Sequence, residues 1–295
     1  METMTRRKRK RNLLPVVLAV VLAVIVAALA LLVFRSLLPA AQREEPDPHA
    51  GQIYVNDGAN MVWLTPHENF AVSPLHRWQF VTLEGQPWYV GSEFAVRRGV
   101  DLSVFQKNVD WAKAAESGVE FAVIRLGFRG YGTGALVEDN AFAQNAADAA
   151  NAGLTVGVYF YSQAVTEEEA AEEARFVVER LRGTNVSGPI AYDLEFYTAD
   201  EARTDDLTGE QATQNAIAFC DVIRQAGYEP VVYMNLHWAG SMYGMEELAH
   251  LPVWLASYGP VPALDRGVTL WQYSESGVVD GIEGPVDLDL WFTKE

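Results

Sequence analysis

The sequence predicts an α/β fold: an irregular (β/α) barrel preceded by a transmembrane helix and a small β-rich segment. Three observations predict it. Short continuous apolar runs alternate with amphipathic stretches from Gly99 onward; glycines follow those stretches; and an uncharged apolar stretch long enough to cross a bilayer stands near the N-terminus.

The first element is a basic tail, residues 1–12, in which Arg6, Arg7, Lys8, Arg9, Lys10 and Arg11 stand against the single Glu2. This gives the tail a charge of +5 and leaves −22 of the total −17 for the rest of the chain. A strongly acidic remainder argues against nucleic acid as a partner, because neutralising phosphates takes a basic face. Residues 13–34, Leu13 to Phe34, carry no charge. Roughly twenty apolar residues are what a helix needs to span a bilayer core, and the basic tail before them places everything after Arg35 on the outer side. The competing reading is a cleavable signal peptide ending near Pro39-Ala40-Ala41, but an apolar core of such peptides is only ~7–15 residues long. In both readings the remainder is exported, and the retained anchor is the expectation: a single-pass protein of the cell membrane with an extracytoplasmic domain.

Residues 35–52 are polar and proline-rich and read as an extended linker. Residues 53–97 show short apolar runs broken by turn residues, Asn56-Asp57-Gly58 and Glu84-Gly85-Gln86-Pro87, and read as a small β-rich preface. From residue 98 to 295 strands and helices alternate. The expected strands are Val100–Leu102, Phe121–Leu126, Thr155–Tyr161, Pro189–Glu195, Pro230–Asn235, Val253–Ala256 and Thr269–Tyr273, whose unbroken apolar character suits parallel strands covered on both faces. The expected helices are Val109–Ser117, Asp139–Asn151, Glu167–Arg182 and Glu210–Ala226, stopped by Gly118, Gly153, Gly183 and Gly227. Thr166 and Glu169 form a capping box for the third. The last part is poor in helix, so the TIM-barrel-like arrangement is irregular in its second half. In such barrels chemistry sits at the C-terminal ends of the strands.

Polar or aromatic residues stand at those ends: Asp101, Arg125, Tyr161, Asp193, Glu195 and Asn235. The sharpest is Ile190-Ala191-Tyr192-Asp193-Leu194-Glu195. Strand alternation puts Asp193 and Glu195 on one face, about 7 Å apart at ~3.3 Å per residue. Two carboxylates facing one barrel mouth repel each other and lose solvation, which raises one of their pKa values and suits it to protonating a glycosidic oxygen. A D-x-E match alone is common, and solvated strand-end carboxylates are the bland alternative.

Five motifs in order sharpen the choice: Gly99-Val100-Asp101-Leu102-Ser103, Ala191-Tyr192-Asp193-Leu194-Glu195, Trp254-Leu255-Ala256-Ser257-Tyr258, Leu270-Trp271-Gln272-Tyr273 and Val286-Asp287-Leu288-Asp289. Together, over about Arg98 to Phe292, they resemble family 25 of the glycoside hydrolases, the bacterial and phage N-acetylmuramidases (lysozymes) with a flattened β/α barrel. The resemblance implies a peptidoglycan hydrolase that cuts the β-1,4 bond between N-acetylmuramic acid and N-acetylglucosamine. It implies Asp101, Asp193, Glu195 and Asp287 as the acidic constellation, with Glu195 as proton donor and Asp193 orienting the N-acetyl group or stabilising the oxocarbenium-like centre. First and last strands meet when a barrel closes, which would bring Asp101 beside Asp287. Asp289 is left out of the expected site.

Among the aromatic residues near strand ends, Tyr131, Tyr161, Tyr192, Tyr233, Trp254, Tyr258, Trp271 and Tyr273, the expected sugar contacts are Tyr161, Tyr233 and Trp254. Arg125 and Gln272 are expected either to bind substrate or to partner the acids. No metal or other cofactor is implied, since His49, His67, His76, His237 and His250 show no ligand spacing. Cys220, the single cysteine, has apolar neighbours and reads as a buried structural thiol. No Gly-x-Ser-x-Gly elbow is present for a serine hydrolase. Two other readings stay open: a chitinase-like glycosidase, whose longer D-x-x-D-x-D-x-E pattern fails here at Gly188 and Ala191, and a wall-binding protein on a catalytically retired barrel.

Overall fold

The computed structural model describes residues 22–30, 48–56, 61–65, 77–83, 85–196, 200–259, 261–262 and 268–294. The chain divides into two compact units, Met1–Ala50 and Gly51–Glu295. In the first, residues 22–30 are α-helical, with Leu22, Val24, Ile25, Val26 and Leu29 exposed. No helix among the described residues is long and apolar enough to cross a membrane. The basic tail, the rest of the 13–34 stretch and residues 35–47 of the linker lie outside the described residues.

The second unit opens with two antiparallel hairpins. Strands β1 (Ile53–Asn56) and β2 (Met61–Leu64) form one; β3 (Phe80–Leu83) and β4 (Gln86–Tyr89) form the other. The barrel then follows: β5 (Phe94–Leu102), α1 (Trp111–Glu116), β6 (Phe121–Arg129), β7 (Leu136–Glu138), α2 (Phe142–Asn151), β8 (Thr155–Ser162), α3 (Glu167–Leu181), β9 (Ile190–Leu194), α4 (Gly209–Gln225), β10 (Pro230–Asn235), β11 (Val253–Ala256), β12 (Val268–Gly277) and β13 (Val286–Lys294). Strands pair in the order β5-β13-β12-β11-β10-β9-β8-β6, and a β5–β6 pairing closes the ring, with β7 added to β6 outside it.

Seven of the eight ring strands run parallel; β13 is antiparallel to both neighbours, β12 and β5. Helices connect the first half as expected, whereas β10 and β11 are joined by short turns of helix at Trp238–Met242 and Glu247–His250. Several boundaries differ from the sequence reading, three of them near the site. The first barrel strand begins at Phe94 and runs across the border drawn at Arg98; β9 stops at Leu194, leaving Glu195 just beyond the strand; and β13 is a full strand outside the expected apolar runs, because Asp287 and Asp289 interrupt its first half.

Local chemistry explains the elements. The Thr166 hydroxyl accepts the Glu169 N–H at 3.3 Å, and the Glu169 carboxylate accepts the N–H of Val165 at 2.8 Å, one residue before the cap. Inside the ring, alternation points Phe121, Val123, Ala191, Val231, Tyr233, Trp254 and Leu270 at one another as a compact plug. Gly99 faces this plug, and a Cβ there would strike the Phe121 ring. Residues of opposite parity face outward: Tyr192 packs on Phe219 of α4, and Phe160 on Phe176 of α3. Cys220 is wholly buried in this outer layer, where burial pushes its thiol pKa up, as a structural cysteine requires.

The helices cover β6, β8, β9 and β10. The outer faces of β5, β12 and β13 meet the β3–β4 hairpin. Phe80 packs edge-on against Trp271 and Phe292 at ring separations of 5.7 and 6.4 Å, and Tyr89 against Phe292 and Phe94 at 5.9 and 6.1 Å. Arg98 of β5 locks the hairpin in place: its guanidinium donates to Gln86 Oε1, to the Pro87 carbonyl at 3.4 Å and to the Tyr273 hydroxyl at 2.9 Å, and lies over the Trp88 ring. A hairpin thus covers the strands that the missing helices leave bare.

Phe80 is 9% exposed, so truncating it opens a cavity over Trp271. Phe80→Ala should lower stability by about 3 kcal/mol in urea denaturation. A change below about 0.5 kcal/mol, the level of an ordinary surface substitution, would show that the hairpin does not contribute to the barrel's stability.

Candidate active site

Alternation continues above the apolar plug and turns polar. Asp101 at the end of β5, Asp193 at the end of β9, Gln272 of β12, and Asp287 and Asp289 of β13 all occupy inward positions. Because β13 is antiparallel, its first residues lie at the same end of the barrel as the last residues of the parallel strands. Asp287 is registered directly opposite Asp101, and Asp193 sits between Tyr161 of β8 and Tyr233 of β10.

A hydrogen-bonded chain joins these groups. The Gln272 amide nitrogen donates to Asp101 Oδ2 at 2.7 Å, and its carbonyl oxygen accepts from the hydroxyls of Tyr258 at 3.0 Å and Tyr233 at 3.3 Å. The Trp254 indole nitrogen donates to Asp289 Oδ1 at 2.8 Å. Asp101, Asp287 and Asp289 lie close enough to shift one another's pKa values. Burial first, then the charges of Asp289 and Asp287, hold the Asp101 pKa well above the carboxylate range. Asp289 is raised to about 7 by burial despite the bonds from Trp254 and Asp101, and Asp287 to about 6 by burial and Glu275.

Asp193 and Glu195 form the second group. Burial and then the charge of Glu195 raise Asp193, while Arg125 opposes the shift. Asp193 Oδ1 is buried with no hydrogen-bond partner. Glu195 is partly exposed; loss of solvation and then the charge of Asp287 raise it to about 7. The backbone carbonyl of Glu195 accepts from the Gln163 amide at 3.5 Å, and Gln163 in turn accepts from Thr204 at 2.9 Å.

The structure therefore brings Asp101, Asp193, Glu195 and Asp287 to one end of the barrel. Gln272 lies among them as a partner of Asp101. Arg125 points inward as well, but its Nε is committed to Asp139 at 2.7 Å, so its charge acts on Asp193 from a distance. Tyr233 and Trp254 are 7% and 2% exposed and form the walls of the acid cluster, leaving little ring surface for a sugar. Tyr161 is half-buried beside Asp193. Tyr192, Trp271 and Tyr273 face outward, as one-residue offsets from inward Asp193 and Gln272 require.

Sequence reasoning left out Asp289, yet period-two alternation gives it the same face as Asp287, and it is 0% exposed against Asp101 and Trp254. Tyr159 was also passed over. It shares the face of Tyr161, its ring lies 6.1 Å from that of Trp254, and the charges of Asp101, Asp193 and Asp287 all act on its hydroxyl. Gln163 carried no signal in the sequence, because it acts through the Glu195 main chain.

Comparison with known proteins agrees with this geometry. The family model described as Glycosyl hydrolases family 25 matches residues 100–282. The chain is 28% identical over 193 residues to the autolytic lysozyme of Clostridium acetobutylicum, covering 65% of this chain and 55% of that protein. It is 28% identical over 212 residues to lysozyme M1 of Streptomyces globisporus, covering 64% and 66%. The chain thus spans between about half and two thirds of these relatives' length. Among solved structures, the modular autolysin LytC of Streptococcus pneumoniae superposes with a TM-score of 0.60 at 25% identity, over 72% of this chain and 52% of that one. A bacterial lysozyme from Streptomyces coelicolor shares the fold at a TM-score of 0.55 and 23% identity, over 65% and 90%. With its closed eight-stranded barrel and its acidic strand ends, the chain belongs to glycosyl hydrolase family 25.

Proposed function

We propose that the protein hydrolyses the β-1,4 bond between N-acetylmuramic acid and N-acetylglucosamine in the glycan strands of peptidoglycan, with Glu195 as general acid. The observation that carries this reading is Glu195 itself: a partly exposed carboxyl at the end of β9, raised to about 7 by burial and Asp287, beside the unpartnered oxygen of Asp193. The names of its relatives support the substrate, as does the pneumococcal autolysin, solved in complex with a synthetic peptidoglycan ligand.

Glu195 passes its proton to the bridging oxygen as the bond from the anomeric carbon to that oxygen breaks. Asp193 stands beside the anomeric centre, where its unpartnered Oδ1 can accept the N–H of the substrate's N-acetyl group or face the charge that develops there. Water then adds to the anomeric carbon and its proton returns the general acid to its starting form. Asp101, Asp287 and Asp289 lie beside the site, and Gln272 fixes Asp101. The half-buried Tyr161 and the exposed Tyr258 offer ring faces to sugars.

The catalytic unit is proposed to reach back from Arg98 to the β3–β4 hairpin, because that hairpin supplies the outer cover of β5, β12 and β13. The stretch 13–34 is proposed to be a membrane span with the barrel on the outer face, on the strength of the basic tail before it and its lack of charge.

Three outcomes are expected. Glu195→Gln keeps the side-chain shape but has no proton to give, so kcat on purified wall should fall about 10²–10⁴-fold; near-normal digestion would contradict the role. Since Glu195 is raised to about 7, it is protonated below that value and ionised above it, so kcat/KM should decline as pH rises through about 7. A profile still flat well above 7 would assign the acid elsewhere. Protease added to intact protoplasts should remove the barrel from the membrane fraction, and protection of the barrel would place it on the inner side.

A further inference from the structure

We propose that the cleft between the β3–β4 turn and the ends of β11 and β12 binds a further N-acetylhexosamine unit of the glycan strand, so that the hairpin lengthens the sugar-binding site. This rests on the glycosidase reading above. The cleft encloses about 400 Å³, within the ~300–1,000 Å³ of small-molecule sites. Gln86 and Pro87 line one side; Tyr258, Gly259, Tyr273 and Ser274 line the other. Gln86 and Pro87 precede the matched span of residues 100–282.

Three observations join the cleft to the acids and define its occupant. First, Tyr258 belongs to both: its ring is 47% exposed toward solvent, while its hydroxyl bonds Gln272, which bonds Asp101. A sugar stacked there is joined to Asp101 through two successive hydrogen bonds. Second, the turn is held rigidly, because Arg98 ties Gln86 and the Pro87 carbonyl to Tyr273 and lies over Trp88; a site fixed in advance loses little ordering entropy on binding. Third, the lining combines an aromatic face with amide and hydroxyl groups, while Glu275 acts electrostatically on Tyr258 and Asp287. That field disfavours an anion, such as the carboxylates of a stem peptide, and suits an uncharged N-acetylated sugar.

The test is titration calorimetry on the full chain carrying Glu195→Gln, so that ligands are not cut, with peptidoglycan glycan fragments of four and six sugars. The six-sugar fragment should bind more tightly. Adding Ser274→Trp, which fills the cleft from the barrel side without replacing Arg98 or any of its partners, should weaken six-sugar binding about tenfold and leave four-sugar binding unchanged. Adding Gln86→Ala should act in the same direction from the hairpin side, with a melting scan showing whether the hairpin stays docked. Equal affinity for both lengths, or six-sugar binding untouched by Ser274→Trp, overturns the subsite. Wall digestion by the unsubstituted protein separates the two readings: length-dependent binding without digestion refutes only the hydrolase, and digestion with length-independent binding refutes only the subsite.

Discussion

The barrel depends on the seam where its one antiparallel strand closes the ring. There β13 runs between β5 and β12, and it carries Asp287 and Asp289 against Asp101. Three carboxyl groups in one buried space would be costly as three anions. They are tolerated because raised pKa values favour their neutral forms, Trp254 donates to Asp289 and Gln272 donates to Asp101. Closing the ring and assembling the acid cluster are therefore one event.

The same seam explains the outer layer. An antiparallel strand needs no crossover helix, so the strands around it lack the cover that α2, α3 and α4 give to the other side. The β3–β4 hairpin fills that gap with Phe80 and Tyr89, and Arg98 ties it to the strand whose far end bears Asp101. Stability and function meet in β5: its first residues carry the hairpin, its middle leaves room for Phe121 at Gly99, and its end delivers an acid.

Much of this was legible in the sequence. The parallel strands and their helices follow from apolar runs and glycine stops, and the capping box at Thr166 and Glu169 forms with one shift of partner. Asp193 reaches the end of the barrel by strand alternation, whereas Glu195 lies just past the strand, where alternation no longer fixes its direction. The same rule, applied to Val286-Asp287-Leu288-Asp289, gives Asp289 its inward place, so its omission was a failure to use a signal that was there. Tyr233 and Trp254 illustrate the opposite limit. Aromatic residues at strand ends can stack on a sugar or wall in an acid, and only their burial and hydrogen bonds distinguish the two. Arg125 is similar, since its tie to Asp139 depends on a loop conformation that spacing does not encode. The hairpin's cover over Trp271 could not be read either, because nothing local says which surface a distant Phe80 will meet.

Barrel closure holds the carboxyl groups of Glu195, Asp289 and Asp287 above the ordinary carboxylate range. Carboxyl carbon-13 NMR titration measures this most directly, with each resonance assigned by substitution to Asn or Gln. The account predicts that Glu195 and Asp289 titrate near 7 and Asp287 near 6. Titration of all three at the ordinary carboxylate values of about 4 would contradict it.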